Sequence, residues 1–159
     1  MIALVEKLYR ILIVVAQSLR SPVLLLIRLF WGWQFFIAGK GKLMDLDKTS
    51  AYFETLGIPL PHAQAILAAS TECFGGLLLL IGLASRLISI PLMGVMIVAY
   101  LTADFEAARA LFSEPDKFVA SDEFLFLFAA LLIFVFGPGL FSVDGLIAKY
   151  FRRNTGKPV

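Results

Sequence analysis

The chain contains one cysteine, one histidine and few charged residues, and each scarcity excludes a class of protein. A single cysteine, Cys73, cannot build a disulfide framework, a CxxC redox motif or a cysteine-ligated zinc or iron–sulfur centre. A single histidine, His62, excludes a bis-histidine haem. Charged residues make up only 16% of the 159 positions, against about 25% in soluble domains. We therefore expect no bound metal and no covalently attached cofactor, and the charge content is not that of a soluble domain.

Apolar residues, by contrast, are abundant. They make up 60% of the chain, above the roughly 45–50% of soluble domains, and phenylalanine alone contributes 15 residues. This composition predicts an all-α integral membrane protein. We expect it to contact the lipid bilayer, and we expect no nucleic-acid partner. Because no repeat and no long linker divides the chain, we expect a single membrane domain over residues 1–159.

Four apolar windows approach the ~20 residues that a helix needs to cross a hydrocarbon core of ~30 Å. They are residues 21–39, 63–85, 87–103 and 124–143. The first contains one charge, Arg28, the second contains Glu72, and the last two contain none. The Gly-Pro-Gly sequence at 137–139 should end or distort the last helix. The sequence therefore predicts a four-helix membrane bundle.

Residues 1–20 differ from these windows. Their uncharged stretch is too short to span a bilayer, and charged residues flank it, so we expect an amphipathic helix at the membrane interface. A cleaved signal peptide is the alternative. In the second polar connection, DFEAARALF repeats apolar residues at helical spacing and predicts a short surface helix.

Lysine and arginine are distributed unevenly between the windows. Eight lie in the N-terminal segment, in the link between the second and third windows, or in the tail 145–159: Lys7, Arg10, Arg20, Arg86, Lys149, Arg152, Arg153 and Lys157. The two longer connections contain five, together with most of the acids. The positive-inside rule then predicts that both termini are cytoplasmic and that the two longer connections lie outside.

The charges inside the windows need partners, because a charge at mid-membrane costs ~2.5–3.5 kcal/mol even on the lenient insertion scale. With a rise of ~1.5 Å per residue, roughly 10 Å along the bundle axis separates Arg28 from Glu72. That distance is at the limit of a direct ion pair, and a water or ligand between them is equally compatible. Gln34 lies at about the depth of Glu72 and can hydrogen-bond to it if the helix rotation suits.

Small residues surround Glu72 on its helix. Ala65, Ala68, Glu72, Gly75 and Gly76 fall at i, i+3, i+7, i+10 and i+11, a stripe typical of transmembrane helices that pack backbone to backbone. We therefore expect Glu72 to point into the bundle, against the first helix.

Three interpretations of Glu72 stay open. Arg28 and Glu72 form a pair that fixes helix register without chemistry, or they line a site for a polar headgroup or a proton relay, or Glu72 faces a homo-oligomer interface. Trp31 belongs to an aromatic group that forms either the wall of a site for a flat ring or ordinary packing. Lys42, outside the first window, is either an interfacial anchor or an attractor of an anionic substrate. Cys73 is expected in the core and His62 at the surface.

The chain resembles the DoxX family of small four-helix bacterial membrane proteins in four ordered segments: LLLIRLFWGWQFFIAGKGKL, FETLGIPLP, ECFGGLLLLIGLASR and GPGLFSVDGL. Together they span about residues 24–146. The positions that fall on the family pattern are Arg28, Gly39, Lys42, Gly57, Pro59, Glu72, Gly75, Gly76, Gly82, Arg86, Gly137, Pro138, Gly139, Ser142 and Asp144. Related sequences often carry a histidine near the end of the third span, where this chain reads YLTADFE. The resemblance implies a four-helix bundle in a bacterial plasma membrane.

The resemblance also implies a function. The family is tied to a subunit of a thiosulfate:quinone oxidoreductase, and other members look like membrane partners of redox or stress-defence enzymes. We therefore expect a membrane subunit of a quinone-linked oxidoreductase system. The candidate catalytic residues are Arg28, to hold a carbonyl or anionic oxygen, and Glu72, to exchange a proton. The candidate quinone-binding residues are Gln34, Trp31 and Lys42. The alternatives are a non-catalytic scaffold that anchors a soluble enzyme and a small-molecule permease.

Overall fold

The computed structural model describes residues 2–155, so the end of the predicted tail, with Lys157, lies outside the described residues. The described residues form eight α-helices and no strand, which confirms the all-α prediction. The helices are α1 Ile2–Met44, α2 Leu46–Thr55, α3 Pro61–Ile81, α4 Ser85–Thr102, α5 Phe105–Arg109, α6 Pro115–Val119, α7 Asp122–Phe136 and α8 Val143–Thr155.

The first helix is longer than predicted. It is continuous over 43 residues and passes through Pro22, which makes it ~65 Å long at ~1.5 Å per residue. The predicted division at residue 20 between an interfacial helix and the first span is therefore not a break in the helix. The helix continues past Gly39, the predicted end of the span, to Met44, and the end of the span itself stays a prediction. Residues 4–19 are exposed, and their location at the interface stays a prediction.

Three of the described helices are long and apolar enough to cross a membrane: α1, α3 and α4. The fourth member of the bundle, α7, has 15 residues, or ~22 Å. It ends at Phe136 because Gly137 and Gly139 take φ angles of 77° and 78°. The Gly-Pro-Gly sequence therefore ends the helix as predicted. The helix in the window 124–143 is Asp122–Phe136, and the bounds of the span itself stay a prediction.

The α1 and α3 helices run antiparallel with their backbones in close contact, as the small-residue stripe predicts. A Cβ added to Gly76 would lie 2.6 Å from the carbonyl oxygen of Gly32. A Cβ added to Gly39 would lie 2.7 Å from that of Ala69. Gly75 instead faces α4, where Leu92 lies against it. Only glycine permits this α1–α3 spacing, which brings polar side chains of the two helices within reach of each other.

The core lies where α1, α3, α4 and α7 meet. Its buried side chains are Phe35, Leu79, Leu92, Met96, Ala130 and Ile133. Cys73 is buried as expected. The predicted surface helix in the second connection is α5, whereas α2, α6 and α8 were not predicted. The hydroxyl of Tyr100 donates to the carbonyl of Phe118 at 2.7 Å, which ties α6 to the end of α4.

Candidate functional site

Arg28 is buried, and its hydrogen bonds go to backbone carbonyls. Its Nε donates to Leu79 at 2.8 Å and its Nη2 to Leu80 at 3.0 Å, both at the end of α3. Its Nη1 donates to Pro138 at 2.7 Å and to Phe141 at 3.0 Å, both after α7. Among the described residues, the carbonyl of Leu79 also accepts from the backbone N–H of Gly82. The other three carbonyls accept no backbone hydrogen bond there. Arg28 therefore closes one end of the bundle.

Other charged side chains bind backbone groups at the same level, and we call this region the arginine end. Arg20 donates to the carbonyl of Phe136 at 2.7 Å, and Arg86 donates to those of Phe134 and Val135 at 3.2 and 3.4 Å. The carboxylate of Asp144 accepts from the backbone N–H groups of Ala84 and Ser85 at 2.8 and 2.9 Å. The arginines thus cover carbonyls at the end of α7, and Asp144 caps the start of α4.

The carboxylate of Glu72 is paired with Lys42, not with Arg28. The Lys42 Nζ lies 2.5 Å from Oε1 and 2.7 Å from Oε2 of Glu72. The Glu72 side chain is 1% exposed and that of Lys42 is 35% exposed. We call the region around this pair the cavity end.

The direction in which helical side chains lean explains the pairing. Side chains lean toward the N-terminus of their own helix, and α1 and α3 are antiparallel. Lys42, near the end of α1, therefore leans back into the bundle toward Glu72, while Glu72 leans toward it. Arg28 also leans toward the N-terminus of α1, which from its position is away from Glu72, and it lies ~21 Å from Lys42 along α1. The hypothesis that Arg28 and Glu72 form a pair is therefore wrong, and the buried pair is Lys42–Glu72.

A large cavity adjoins this pair. It has a volume of about 1120 Å³, and a smaller space of about 120 Å³ shares Lys42 and Glu72 with it. The main polar groups in the lining of the large cavity are Lys42, Asp45, Lys48, Thr49, Tyr52, Gln64, Thr71, Glu72, Thr102 and Glu123. The remaining lining is largely apolar. Ligand sites commonly have ~300–1,000 Å³ and a few polar groups in an apolar wall, so this cavity is large enough for an organic ligand.

Part of the cavity lining is exposed on α3 and α4. Leu67 on α3 and Pro91, Gly94 and Val98 on α4 line the cavity and are exposed. A Cβ added to Gly94 would have no described atom of another element within 4 Å. This part of the lining therefore lies on the faces of two membrane-length helices.

Two elements of the cavity were not predicted. The α2 helix supplies Tyr52 and Phe53 to one wall, although its segment was treated as a polar connection. Glu123, at the start of α7, lines both the large and the small space, so a second carboxylate faces the region of Glu72. The amphipathic repeat of α2 was a signal for the wall that this helix forms. The sequence carried no signal for the position of Glu123.

The structure separates the other predicted quinone-binding residues from Lys42. Trp31 makes edge contacts with Phe30 and Phe126, with ring centroids 5.1 and 5.0 Å apart. It packs within the bundle and is not among the residues that line the cavity. Among the described residues, Gln34 is neither a hydrogen-bond partner of Glu72 nor part of the lining. Lys42 is the one member of that group at the cavity.

The described part of the chain contains no cluster of potential metal ligands. Within residues 2–155, no three histidine, cysteine, aspartate or glutamate side chains come together as a candidate metal site. His62 is exposed at the start of α3, as expected of a surface residue. The polar groups that line the cavity are two ammonium groups, carboxylates, hydroxyl groups and an amide.

These features define a class: a helical membrane protein with a buried ion pair on the wall of an apolar cavity. A DoxX family model matches residues 23–104 of the 159 residues, and the chain belongs to the DoxX family. The matched region contains Arg28, Lys42 and Glu72.

Two relatives are similar over most of their length. The chain is 27% identical over 125 residues to "Putative oxidoreductase CatD" of Bacillus subtilis (strain 168), which covers 79% of this chain and 87% of that protein. It is 29% identical over 132 residues to "Inner membrane protein YphA" of Escherichia coli (strain K12), with 77% and 89% covered. No solved structure matches the chain.

Proposed function

We propose that this DoxX protein is the quinone-binding membrane subunit of an oxidoreductase system. The observation that carries the proposal is the Lys42–Glu72 pair, which lies on the wall of a large and mostly apolar cavity. A quinone has a polar, flat headgroup and an apolar tail. A few polar groups can bind the headgroup, and the apolar wall can accommodate the tail.

Lys42 provides the hydrogen bond to the headgroup in this proposal. An ammonium has three N–H donors, and Glu72 accepts on both of its oxygens, which leaves capacity for a quinone carbonyl oxygen. The positive charge favours the negative charge that develops on that oxygen during reduction. Arg28 does not take this role, because its donors are bound to backbone carbonyls.

Glu72 provides a proton in this proposal. Reduction of a quinone to a quinol takes up two electrons and two protons. The electrons come from a redox centre of a partner enzyme, and the protons pass to the carbonyl oxygens through Glu72. Glu123 lines the small space next to Glu72 and supplies the second carboxylate on this route. Tyr52 and Phe53 of α2 form the wall against the ring.

The comparisons support the reaction class and the location. The name of the Bacillus subtilis relative includes oxidoreductase, and that of the Escherichia coli relative includes inner membrane. We therefore propose the bacterial plasma membrane, with both termini cytoplasmic, because basic residues gather at the arginine end and in α8. Alkaline phosphatase fused after Phe112 should then be active in cells, and the same enzyme fused at the C-terminus should be inactive.

Quinone binding is the direct test of the function. The purified full-length protein in lipid nanodiscs is titrated with a short-chain ubiquinone analogue by calorimetry. We expect Lys42→Met to weaken binding by roughly 10- to 100-fold, because a hydrogen bond to a charged group contributes about 1.5–3 kcal/mol. Lys40→Met is the matched control, since Lys40 is an exposed lysine two residues earlier on α1. We expect its affinity to equal that of the wild type.

Two outcomes would contradict the proposal. Equal loss of affinity in Lys40→Met and Lys42→Met would show that binding does not depend on the buried pair. Absence of quinone binding by the wild type would favour the non-catalytic scaffold, in which Lys42–Glu72 only fixes helix register. Glu72→Gln separates the proton role from binding: affinity should persist while quinol formation, measured with the partner enzyme present, should fall.

A further inference from the structure

The last described helix, α8, is amphipathic, and its apolar face is largely exposed. Its apolar residues begin at Val143 and recur at i+3, i+4, i+7 and i+8. Leu146 and Tyr150 on this face are each 65% exposed. Lys149 and Arg153 are exposed and border this face, on the side of Leu146. An amphipathic helix with cations beside its apolar face is typical of the membrane surface.

The start of α8 is fixed at the arginine end. The backbone N–H of Asp144 donates to the carbonyl of Gly82 at 2.9 Å, and the Asp144 carboxylate caps α4. The backbone N–H of Gly145 donates to the Ser142 hydroxyl at 3.0 Å. These bonds hold α8 at the level where α3 ends and α4 begins, which is where the membrane-length helices end.

The apolar face of α8 continues onto the loop before it. Leu140 is 76% exposed, and Phe141 is also exposed. The patch therefore begins at the ends of the spans and extends along α8. Arg20 and Arg86 lie at the same end of the molecule. In a bilayer spanned by α3 and α4, this patch would lie beside the hydrocarbon and the headgroups of one leaflet.

We propose that α8 lies in the headgroup region of the leaflet at the arginine end and binds anionic phospholipid. Leu146 and Tyr150 enter the upper acyl region. Lys149 and Arg153 contact the phosphate groups, because anionic leaflets attract basic residues near their surface. The tail is then a lipid anchor of this subunit and not a docking segment for a soluble protein.

Spin labelling measures the depth of each face of α8. Leu146→Cys and Lys149→Cys are each placed in a Cys73→Ala background, and the full-length protein is reconstituted in nanodiscs of phosphatidylcholine and phosphatidylglycerol. Oxygen concentrates in hydrocarbon and a nickel chelate stays in water. We expect the label at 146 to collide mainly with oxygen and the label at 149 mainly with the chelate. If both labels collide mainly with the chelate, α8 is in water or available to a soluble protein, and the proposal is wrong.

A second measurement tests the preference for negative charge. Lys149→Gln/Arg153→Gln is compared with Lys40→Gln/Lys117→Gln, which removes the same charge from exposed residues at the other end. The readout is the ratio of phosphatidylglycerol to phosphatidylcholine retained by the purified protein. A cation near an anionic surface contributes about fivefold, so the first variant should lower the preference at α8 by roughly 25-fold. Equal ratios for the two variants would overturn the proposal.

Discussion

The arginine end and the cavity end each contain a cation of α1, buried in the case of Arg28 and half-buried in that of Lys42, and the two cations have different partners. Arg28 donates to four backbone carbonyls, so its bonds close the end of the bundle. Lys42 binds a side-chain carboxylate, and a cavity of about 1120 Å³ adjoins the pair. A buried charge is therefore not by itself a sign of a ligand site. The partners of the charge, and the free space beside it, distinguish the two regions.

The chemistry of the two side chains fits the difference. The guanidinium of arginine is a rigid plane with five donors in fixed directions, which suits several carbonyls at once. The ammonium of lysine is a compact charge on a flexible stem, which can redirect a donor toward a ligand. The arginine end is thus built for stability, and the cavity end retains hydrogen-bonding capacity. Four sets of variants, compared by their free energies of unfolding, test this comparison.

Arg28→Ala should have the largest effect. It leaves the part-buried carbonyls of Leu80, Pro138 and Phe141 without their donor. Because each unsatisfied acceptor costs about 1–3 kcal/mol, we expect a loss of about 3–5 kcal/mol in the free energy of unfolding. Denaturant unfolding of the protein in mixed micelles measures it. Arg20→Ala, which removes one bond of an exposed arginine, should lose less than about 1 kcal/mol. Equal losses would show that the arginine end does not depend on Arg28.

Lys42→Met should destabilise the protein nearly as much, because it leaves the Glu72 carboxylate buried without its cation. We expect about 3–5 kcal/mol for the single variant. Lys42→Met/Glu72→Met should regain most of this stability, because apolar residues can replace a buried ion pair. The same double variant should bind no quinone. A double variant as unstable as the single one would show that the cavity end, like the arginine end, depends on its polar contacts for stability.

Gly39→Ala should have an intermediate effect through the spacing of α1 and α3. Its methyl group would meet the backbone of Cys73 and Ala69, and we expect a loss of about 1–3 kcal/mol. Gly41→Ala is the matched control, because no atom lies within 4 Å of its added Cβ. That variant should be as stable as the wild type or more stable by about 0.4–1 kcal/mol. If Gly39→Ala has the same free energy of unfolding as the wild type, then α1 and α3 can move apart without loss of stability.

Asp144→Asn should have the smallest effect. An amide oxygen can replace only one of the two carboxylate oxygens that accept from Ala84 and Ser85, so we expect a loss of about 1 kcal/mol. Faster amide hydrogen exchange at the start of α4 would locate the change. Asp104→Asn is the control, since Asp104 precedes α5 without a side-chain capping bond. Similar exchange in both variants would show that Asp144 does not hold α4.

The sequence predicted those parts of the bundle that depend on local pattern. Helical spacing of small residues predicted that Glu72 faces α1, and Gly-Pro-Gly predicted the end of α7. Both follow from properties of single segments: a stripe on one helix, and residues that cannot continue a helix. They need no knowledge of the other helices.

The partner of Glu72 was missed because the end of α1 was placed at Gly39. The sequence after it, Lys-Gly-Lys, reads as a loop, but close packing of Gly39 on α3 keeps the helix intact to Met44. One signal was present. Arg28, Phe35 and Lys42 fall at i, i+7 and i+14, the spacing of one helix face, which predicts that all three point into the bundle.

The cavity itself could not be predicted from single segments. Its walls come from α1, α2, α3 and α4, and Glu123 reaches it from α7. The volume depends on how these helices pack, and no periodicity in one helix encodes that. Axial depth alone was also insufficient to predict the partner of Glu72. It placed Arg28 near Glu72 but did not take into account that their side chains lean in opposite directions.

The exposed part of the cavity lining on α3 and α4 affects how affinity for the proposed ligand should be expressed. Leu67, Pro91, Gly94 and Val98 are on the surface of membrane-length helices, so the apolar ligand of the proposed function would enter from the lipid phase. Its effective concentration is its mole fraction in the bilayer, which exceeds its aqueous concentration by its partition coefficient. Two ligands with equal contacts to Lys42 will then differ in apparent aqueous affinity by the ratio of their partition coefficients. Titrations at several lipid-to-protein ratios separate the two contributions.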